Sequence, residues 1–480
     1  MRVLTELETQ LLTLESPTTT GHVGSLVLLD PATSPGGSWG VDDVRAVMEA
    51  RLHLAPQLRQ RLVEVPLGLG PPSWVEDPHF DIEFHLREVA LPAPGTSEQL
   101  GEQVARLHAR PLDRTRPLWE AYAITGLEDG RSAFYSKIHL AAVDGVTGAE
   151  LLDAATDLTA EPRDVEPEEP TVPDPLPSQV EVLGSGLRQL ALSPLEVLRT
   201  APKALSYLDR VPGAARLPGI RLVSEASGWL GRMVEQRPPD LVGSAARPPR
   251  TPMNGPITAH RRFAFGSLSL SDLERAQDHF ELTLSELVMT LTSAALRRWL
   301  LDHDALPSDP IVAAVPVFSG PAAQPDPTGD EVSVAITTLP TDQRDPVARA
   351  EVVRMAMRRD DPHSEVAAAS LPTAVPTGAP GMAARALIRL ATVPGRHLNL
   401  CVSTVTGPQV PLFIAGARVE EIFPVSAVTD STGGLSVSSL SYDGRLDVGL
   451  IACREMVPDV GNLVSYLQDA LVEMLDAVPD

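Results

Sequence analysis

A chain of 480 residues exceeds one ordinary domain, and with 43% hydrophobic and 21% charged residues it describes a folded protein with ample core rather than a disordered one. A formal net charge of −24 excludes nucleic acid as a partner, because that binding needs clustered Lys and Arg, and it disfavours tight docking on an anionic bilayer. Aromatic residues are 4% of the chain, so the core must be built from Leu, Val, Ile and Ala, as suits packed helices and sheets.

Residues 4–14 suit a short helix, and 21–29, bounded by glycine, a buried strand that carries His22 near its start. With no partner in the sequence, His22 reads as a partly buried strand histidine. Val41, Val44, Met48 and Leu52 fall at helical spacing. Residues 74–91 read as an extended pair of strands in which Phe80, Ile82 and Phe84 alternate with acidic neighbours, and a helix is expected over 97–109. The run Pro111-Leu112-Asp113-Arg114-Thr115-Arg116-Pro117-Leu118-Trp119-Glu120 is a proline-bounded turn that an Asp–Arg pair could lock. Strands at 121–125 and 132–140 then form a hairpin around Leu127-Glu128-Asp129-Gly130.

The second hairpin strand runs into a turn at Asp144-Gly145, and Thr147 with Glu150 makes a capping box for a following helix. A histidine, His139, and an aspartate, Asp144, therefore sit at a strand-to-helix junction, where side chains can be held rigidly beside a cleft.

From 161 to 177 the composition changes to Pro with Glu and Asp, which marks an extended linker. Residues 180–233 are helical in part, with a leucine-rich face and a few arginines opposite. That segment reads either as a peripheral membrane or lipid-substrate contact or as a linker helix packed on the body of the protein. A second proline-rich break at 247–256 precedes a strand at 261–265. Ser271 with Glu274 then caps a helix to Phe280, and a long helix follows over 285–301. Strands are expected at 311–318, 332–339, 398–405, 412–419, 434–442 and 446–453, the last two joined by a tight turn at Asp443-Gly444. Residues 370–382 read as a mobile loop, and an amphipathic helix closes the chain over 460–475.

Cys401 and Cys453 are too few for a disulfide framework and lack the spacing of a metal site, so no metal and no bound cofactor are expected. Reduced thiols fit the cytosol. The polar, acidic start Met1-Arg2-Val3-Leu4-Thr5-Glu6 is not a secretory signal, and no apolar run reaches bilayer length.

The stretch His139-Leu140-Ala141-Ala142-Val143-Asp144-Gly145 resembles the His-His-x-x-x-Asp-Gly motif of the wax ester synthase/diacylglycerol acyltransferase family, within the wider group of CoA-dependent acyltransferases and condensation domains. The run from Pro111 to Trp119, Asn254-Gly255-Pro256, Val315-Pro316-Val317, Leu339-Pro340-Thr341-Asp342, 411–418 and 441–446 resemble further words of that family in the same order. The resemblance implies an α/β (α+β) fold. Two chloramphenicol-acetyltransferase-like lobes, each a mixed sheet with helices, would surround a central tunnel. It suggests an N-terminal lobe at 1–160, a linker and helical crossover at 161–250, and a C-terminal lobe at 251–480. It also implies acyl-CoA or another acyl thioester as co-substrate, and a small-molecule or lipid-like acceptor.

In the family the second histidine of the motif is the general base, and here that position is Leu140, which cannot accept a proton. Further departures fall in the other pocket-facing words: Ser285-Glu286 stands for Asn-Asp at the start of the long helix, Asp330 for Asn, and Ser403-Thr404-Val405-Thr406-Gly407-Pro408 for Ser-Asn-Val-Pro-Gly-Pro. A positioned base contributes roughly 10²–10⁴-fold. Its loss leaves three readings open: an acyltransferase in which His139 or a water substitutes, a tunnel repurposed for a natural-product intermediate whose nucleophile needs no histidine, and an acyl-binding homologue without turnover. On a strand His139 shares a side with Lys137 and Tyr135, and Leu140 shares one with Ile138. His139 is therefore either a base on a twisted strand end or a supporting residue. Asp144 reads as orienting its loop and Gly145 as permitting close backbone approach. Glu286 is either a first-turn carboxylate favoured by the helix dipole or a substitute acid/base. Leu140, Gly145, Ser285, Glu286, Ser319, Ser403 and Thr404 are the expected tunnel residues, with Tyr442 a further polar candidate.

Overall fold

The computed structural model describes residues 1–13, 15–65, 72–143, 155–166, 176–177, 248–318, 332–358, 398–430 and 432–478. Its strands in chain order are β1 (Arg2–Val3), β2 (His22–Asp30), β3 (Gln60–Val63), β4 (Ser73–Glu76), β5 (Leu86–Ala90), β6 (Trp119–Thr125), β7 (Ser132–His139), β8 (Arg261–Ser269), β9 (Ile311–Phe318), β10 (Val332–Leu339), β11 (Leu400–Thr406), β12 (Phe413–Ile414), β13 (Ala417–Val425), β14 (Leu435–Tyr442) and β15 (Arg445–Cys453).

These strands make two mixed six-stranded sheets and a small three-stranded one, β1-β4-β3. The first large sheet has the order β12-β13-β2-β7-β6-β5, antiparallel except for the β5–β6 pair. The second has the order β10-β9-β11-β14-β15-β8, with β11 parallel to both of its neighbours. The result is the two-lobed α/β arrangement that the sequence words imply. The lobes share one element: β13, from the second half of the chain, lies in the first sheet, paired with β2 from Arg418↔Asp30 to Val425↔Gly24.

Helices cover one face of the second sheet. The long helix Leu284–Asp302 starts at Thr283, whose hydroxyl accepts from the Glu286 N–H while the Glu286 carboxylate accepts from the Thr283 N–H. Its Leu287, Leu291, Ala295 and Trp299 pack with Leu463 and Leu467 of the helix Gly461–Asp476 over Val402, Val437 and Leu450 of the sheet. The opposite face of that sheet meets the first lobe. Phe263 and Ile451 from the second sheet join Leu26, Tyr135 and Phe423 from the first, and Val104 from the helix Ser97–His108, in one buried cluster.

Several local expectations change. Residues 74–91 are not two continuous strands, because Asp81 caps a helical turn, Ile82–His85, by accepting from the Glu83 N–H at 3.0 Å. Ile82 and His85 are both buried, a spacing of three that fits one face of a helical turn, whereas strand alternation would put residues three apart on opposite sides. β8 runs past residue 265 to Ser269, paired with β15 throughout, so Ser269 rather than Ser271 caps the helix Leu270–Phe280. Residues 412–419 fold back as the β12–β13 hairpin because Ala415 and Gly416 both take positive φ, 48° and 85°, as a two-residue hairpin turn demands. The Asp443-Gly444 turn does the same between β14 and β15, as expected. Asp113 does not lock its turn through an arginine; its carboxylate accepts from the Thr115 N–H and hydroxyl at 2.9 and 2.7 Å. The linker at 167–175, the 180–233 segment, the Thr147–Glu150 cap and the 370–382 loop lie outside the described residues.

Candidate active site

The site is organised by the ends of β2 and β7, which run antiparallel and put His22 directly opposite His139. His139 is the last residue of β7, and Leu140 opens a single helical turn, Leu140–Val143. The two side chains part there. His139 lies on the same side as His22, while Leu140 joins Leu11, Leu12, Val23, Trp74, Leu112 and Leu118 in a minor core beneath the three-stranded sheet. Leu140 is 6% exposed, so the isobutyl group at the position expected of a base is part of a dry apolar cluster.

His139 is 1% exposed and held from both ends. Its Nδ1 accepts from the Ala141 N–H at 3.0 Å, which puts the proton of the neutral ring on Nε2. That Nε2 lies 3.1 Å from Glu15 Oε1, off the line of an ideal hydrogen bond but within ion-pair range. Glu15 in turn accepts from the Gly21 N–H at 3.1 Å and from Arg114 Nε and Nη2 at 3.0 and 2.5 Å. Burial pushes the Glu15 carboxyl upward, but His139, Arg114 and the Gly21 N–H together outweigh it and hold the group at about 2. Gly21 is required by close approach: a Cβ there would stand 2.5 Å from His139 Nε2. The arginine of the Pro-Leu-Asp-Arg run thus reaches His139 through Glu15, a residue with no local signal to mark it.

Beside this lock lies a buried polar group on the same face. His22 Nε2–H donates to the His108 carbonyl at 2.6 Å, the two rings meet edge to face at 4.6 Å, and His108 Nδ1 is 2.8 Å from the Tyr135 hydroxyl. Burial first, and the Lys137 charge after it, hold His108 at about 3; burial and the same neighbours push His22 well below the usual histidine range. Both rings are therefore neutral. Lys137 donates to the carbonyls of Leu107 and Arg110 at 2.9 and 2.8 Å, a cation at the carboxyl end of the helix Ser97–His108, and stands 3.3 Å from Glu120.

The other expected site residues occupy separate places. Ser403 faces the first lobe and donates to Ser438 at 3.0 Å, which also meets Ser426 at 2.6 Å. Its neighbour Thr404 alternates to the other face and accepts from Ser439 at 3.2 Å. Glu286, 2% exposed, makes the capping box with Thr283, and Ser285 precedes it in the first turn. The Tyr442 hydroxyl donates to the Val419 carbonyl and accepts from the Leu412 N–H, tying β14 to the β12–β13 hairpin. Asp144, Gly145 and Ser319 lie outside the described residues. Among the described residues no three His, Cys, Asp or Glu side chains gather as a metal site, and no helix is long and apolar enough to cross a membrane.

Neither ring nitrogen of His139 is open to an acceptor hydroxyl in this arrangement, and Leu140 offers none. A general base must come within hydrogen-bond reach of the proton that it takes. The geometry at 139–140 fits a support for the strand end better than proton transfer.

Known proteins share this architecture. The family model of the wax ester synthase/diacylglycerol acyltransferase catalytic domain matches residues 4–288, and that of the WS/DGAT C-terminal domain matches residues 328–475. Two Mycobacterium tuberculosis proteins provisionally named as diacylglycerol O-acyltransferases, Rv1760 and Rv3740c, are each 32% identical. The first alignment covers 100% of this chain and 91% of the relative, the second 95% and 96%. Among solved structures, the wax ester synthase/diacylglycerol acyltransferase of Marinobacter aquaeolei VT8 superposes with a TM-score of 0.66 at 27% identity, covering 99% of both chains. The starter condensation domain of rhizomide synthetase, solved with C8-CoA and Leu-SNAC, shares the fold at a TM-score of 0.51 and 13% identity, covering 99% of this chain and 95% of that one.

Proposed function

Because this chain belongs to the wax ester synthase/diacylglycerol acyltransferase family, we propose that it moves an acyl group from a CoA thioester to an alcohol or related acceptor, by a route in which residue 140 takes no proton. The acceptor oxygen attacks the thioester carbonyl carbon, the C–O bond forms and the C–S bond breaks. Sulfur leaves with the electron pair and ends as the CoA thiol, carrying the proton that the acceptor lost. The observation that supports the altered route is the enclosure of His139 between the Ala141 N–H and Glu15, beside a Leu140 packed among leucines. Water or the departing sulfur then receives the proton, and the acceptors best served are those whose nucleophile needs little help, such as a neutral amine.

That last point favours a second reading on the same residues: a non-standard acyl transfer or condensation on a biosynthetic intermediate. The co-substrate remains an acyl thioester and the acceptor small or lipid-like. We assign the protein to the cytosol, a reading supported by the free, buried thiols of Cys401 and Cys453.

The test is to incubate purified protein with long-chain acyl-CoA and, in parallel, an alcohol, a diacylglycerol and a primary amine, following free CoA and acylated product. Acceptor-dependent release is expected, slow with alcohols, and Leu140→His should raise the alcohol rate toward the roughly 10²–10⁴-fold that a positioned base supplies. Amine acylation that outpaces alcohol acylation and ignores Leu140→His selects the second reading. Acyl-CoA binding with no acylated product from any acceptor refutes both and leaves an acyl-binding protein.

A further inference from the structure

Away from the motif, one of the groups that join the two lobes is a buried carboxylate that the proposed reaction does not use. Asp447 stands in the middle of β15, 0% exposed, directly opposite Ser267 of β8 and Leu440 of β14. Its Oδ2 accepts from the Ile422 N–H of β13 at 2.6 Å, and its Oδ1 is 2.6 Å from the Ser267 hydroxyl. The Ile422 N–H lies beside an irregularity in the first sheet, where the β13–β2 register shifts between Val419 and Glu421. A carboxyl of the second sheet thus occupies an N–H of the first.

The Ser267 hydroxyl has a second close neighbour, Glu421 Oε1, at 2.9 Å. One hydroxyl carries one hydrogen and can donate to one carboxylate at a time. With both carboxyls ionised, the other oxygen would face a lone pair at hydrogen-bond distance inside a buried seam. The contacts are all attractive when one carboxyl is protonated and donates to Ser267, which then donates to the other. The surrounding charges decide which. Glu421 receives Arg131 at 2.8 Å, from the turn before β7, and Arg445 at 3.1 Å, so it carries the negative charge. Asp129 and Glu420 stand behind Arg131, and Asp443 behind Arg418, at the edges of the same seam. Facing it from β14, Tyr442 is held above the usual tyrosine range by burial. Among the described residues no guanidinium reaches Asp447 as directly as Arg131 and Arg445 reach Glu421; Arg445 acts on it from a distance, while Glu421 adds a like charge.

We propose that Asp447 is seated with its proton on and works as a pH-operated latch between the lobes, closed while it is protonated and loosened when the proton leaves. The chain of donors then runs from Asp447 to Ser267 to Glu421, with the Asp447 carbonyl oxygen on the Ile422 N–H. Burial supports this by raising the Asp447 carboxyl to about 7, against the pull of Ser267, Ile422 and Arg445. The latch lies apart from residues 139–140 and does not depend on which acceptor is acylated.

Asp447→Asn in the full chain is the test, since its amide N–H₂ can donate to Ser267 and its amide oxygen accept from Ile422 at every pH. The parent should lose thermal stability as pH rises from about 4 toward 7, and deuterium uptake of the Ala417–Val425 strand, corrected for intrinsic exchange, should increase across the same range. Asp447→Asn should flatten both profiles and match or exceed the parent at pH 8. The infrared band of a protonated carboxyl in the parent at pH 6 should be weakened in the variant. A variant that fails to fold, or one that keeps the parent's pH profile, overturns the proposal, as does an unchanged infrared spectrum.

Discussion

Replacing Glu15 with Gln tests whether the lock on His139 holds the strand end. In the folded protein the Glu15 carboxyl sits at about 2, against an ordinary 4.5. A shift of that size corresponds to about 3 kcal/mol at 1.36 kcal/mol per unit. The group is mostly enclosed, at 15% side-chain exposure, so solvent screening removes little of this. The sign follows from the depression: the contribution is complete above about pH 4.5, and it is lost as pH falls through the folded value near 2. Glu15→Gln keeps an acceptor for the Gly21 N–H but gives Arg114 no charge and His139 no anion. Denaturant unfolding at pH 7 should therefore show a loss of about 1–3 kcal/mol, and the variant's profile between pH 5 and 2 should be shallower than the parent's. A loss under about 0.5 kcal/mol with an unchanged acid limb would refute the view that this carboxylate secures the motif.

Glu286 separates a cap from a chemical role. Thr283→Ala and Glu286→Gln should each cost about 1 kcal/mol in denaturant unfolding and leave acceptor-dependent CoA release within a few-fold, whereas a hundredfold fall in turnover for Glu286→Gln alone would make that carboxylate a substitute base. Asp157, buried with Arg51 at 2.7 Å, ties the chain that follows the motif to the helix Val41–Arg51; Asp157→Ala should cost about 3–5 kcal/mol, measured by urea unfolding, because it removes the carboxylate that balances a buried guanidinium charge.

Much of the framework was legible because it is carried by local chemistry. The Asp443-Gly444 turn, the alternation in β7 and the capped helix at 97–108 each follow from neighbours in sequence. The departures from local pattern share a physical cause. Residues 412–419 are apolar enough for one strand, and what folds them back is the pair of positive φ values at Ala415 and Gly416, a demand of which glycine alone is a signal. The site was legible in identity and illegible in partnership. The motif words marked 139 and 140, and strand alternation separated their side chains, but Glu15 and Arg114 are 99 residues apart and meet only through tertiary packing. The crossing of β13 into the first sheet was hidden for the same reason: register between distant strands is set by surfaces that neither strand displays alone.

The placement of Leu140 explains how a base position can be given up without loss of the fold. Enclosing a leucine side chain stabilises by about 1.5–3 kcal/mol relative to leaving it exposed. An imidazole in the same cluster of Leu11, Leu12, Val23 and Leu118 would need partners for two ring nitrogens where the neighbours offer only carbon. An unpartnered buried polar group costs about 1–3 kcal/mol. At this position, then, stability and proton transfer pull in opposite directions, and restoring the base should destabilise the chain while it speeds alcohol acylation. His139 does not share that conflict, since its partners are already in place: the strand end is secured by one histidine whether or not the next residue takes a proton.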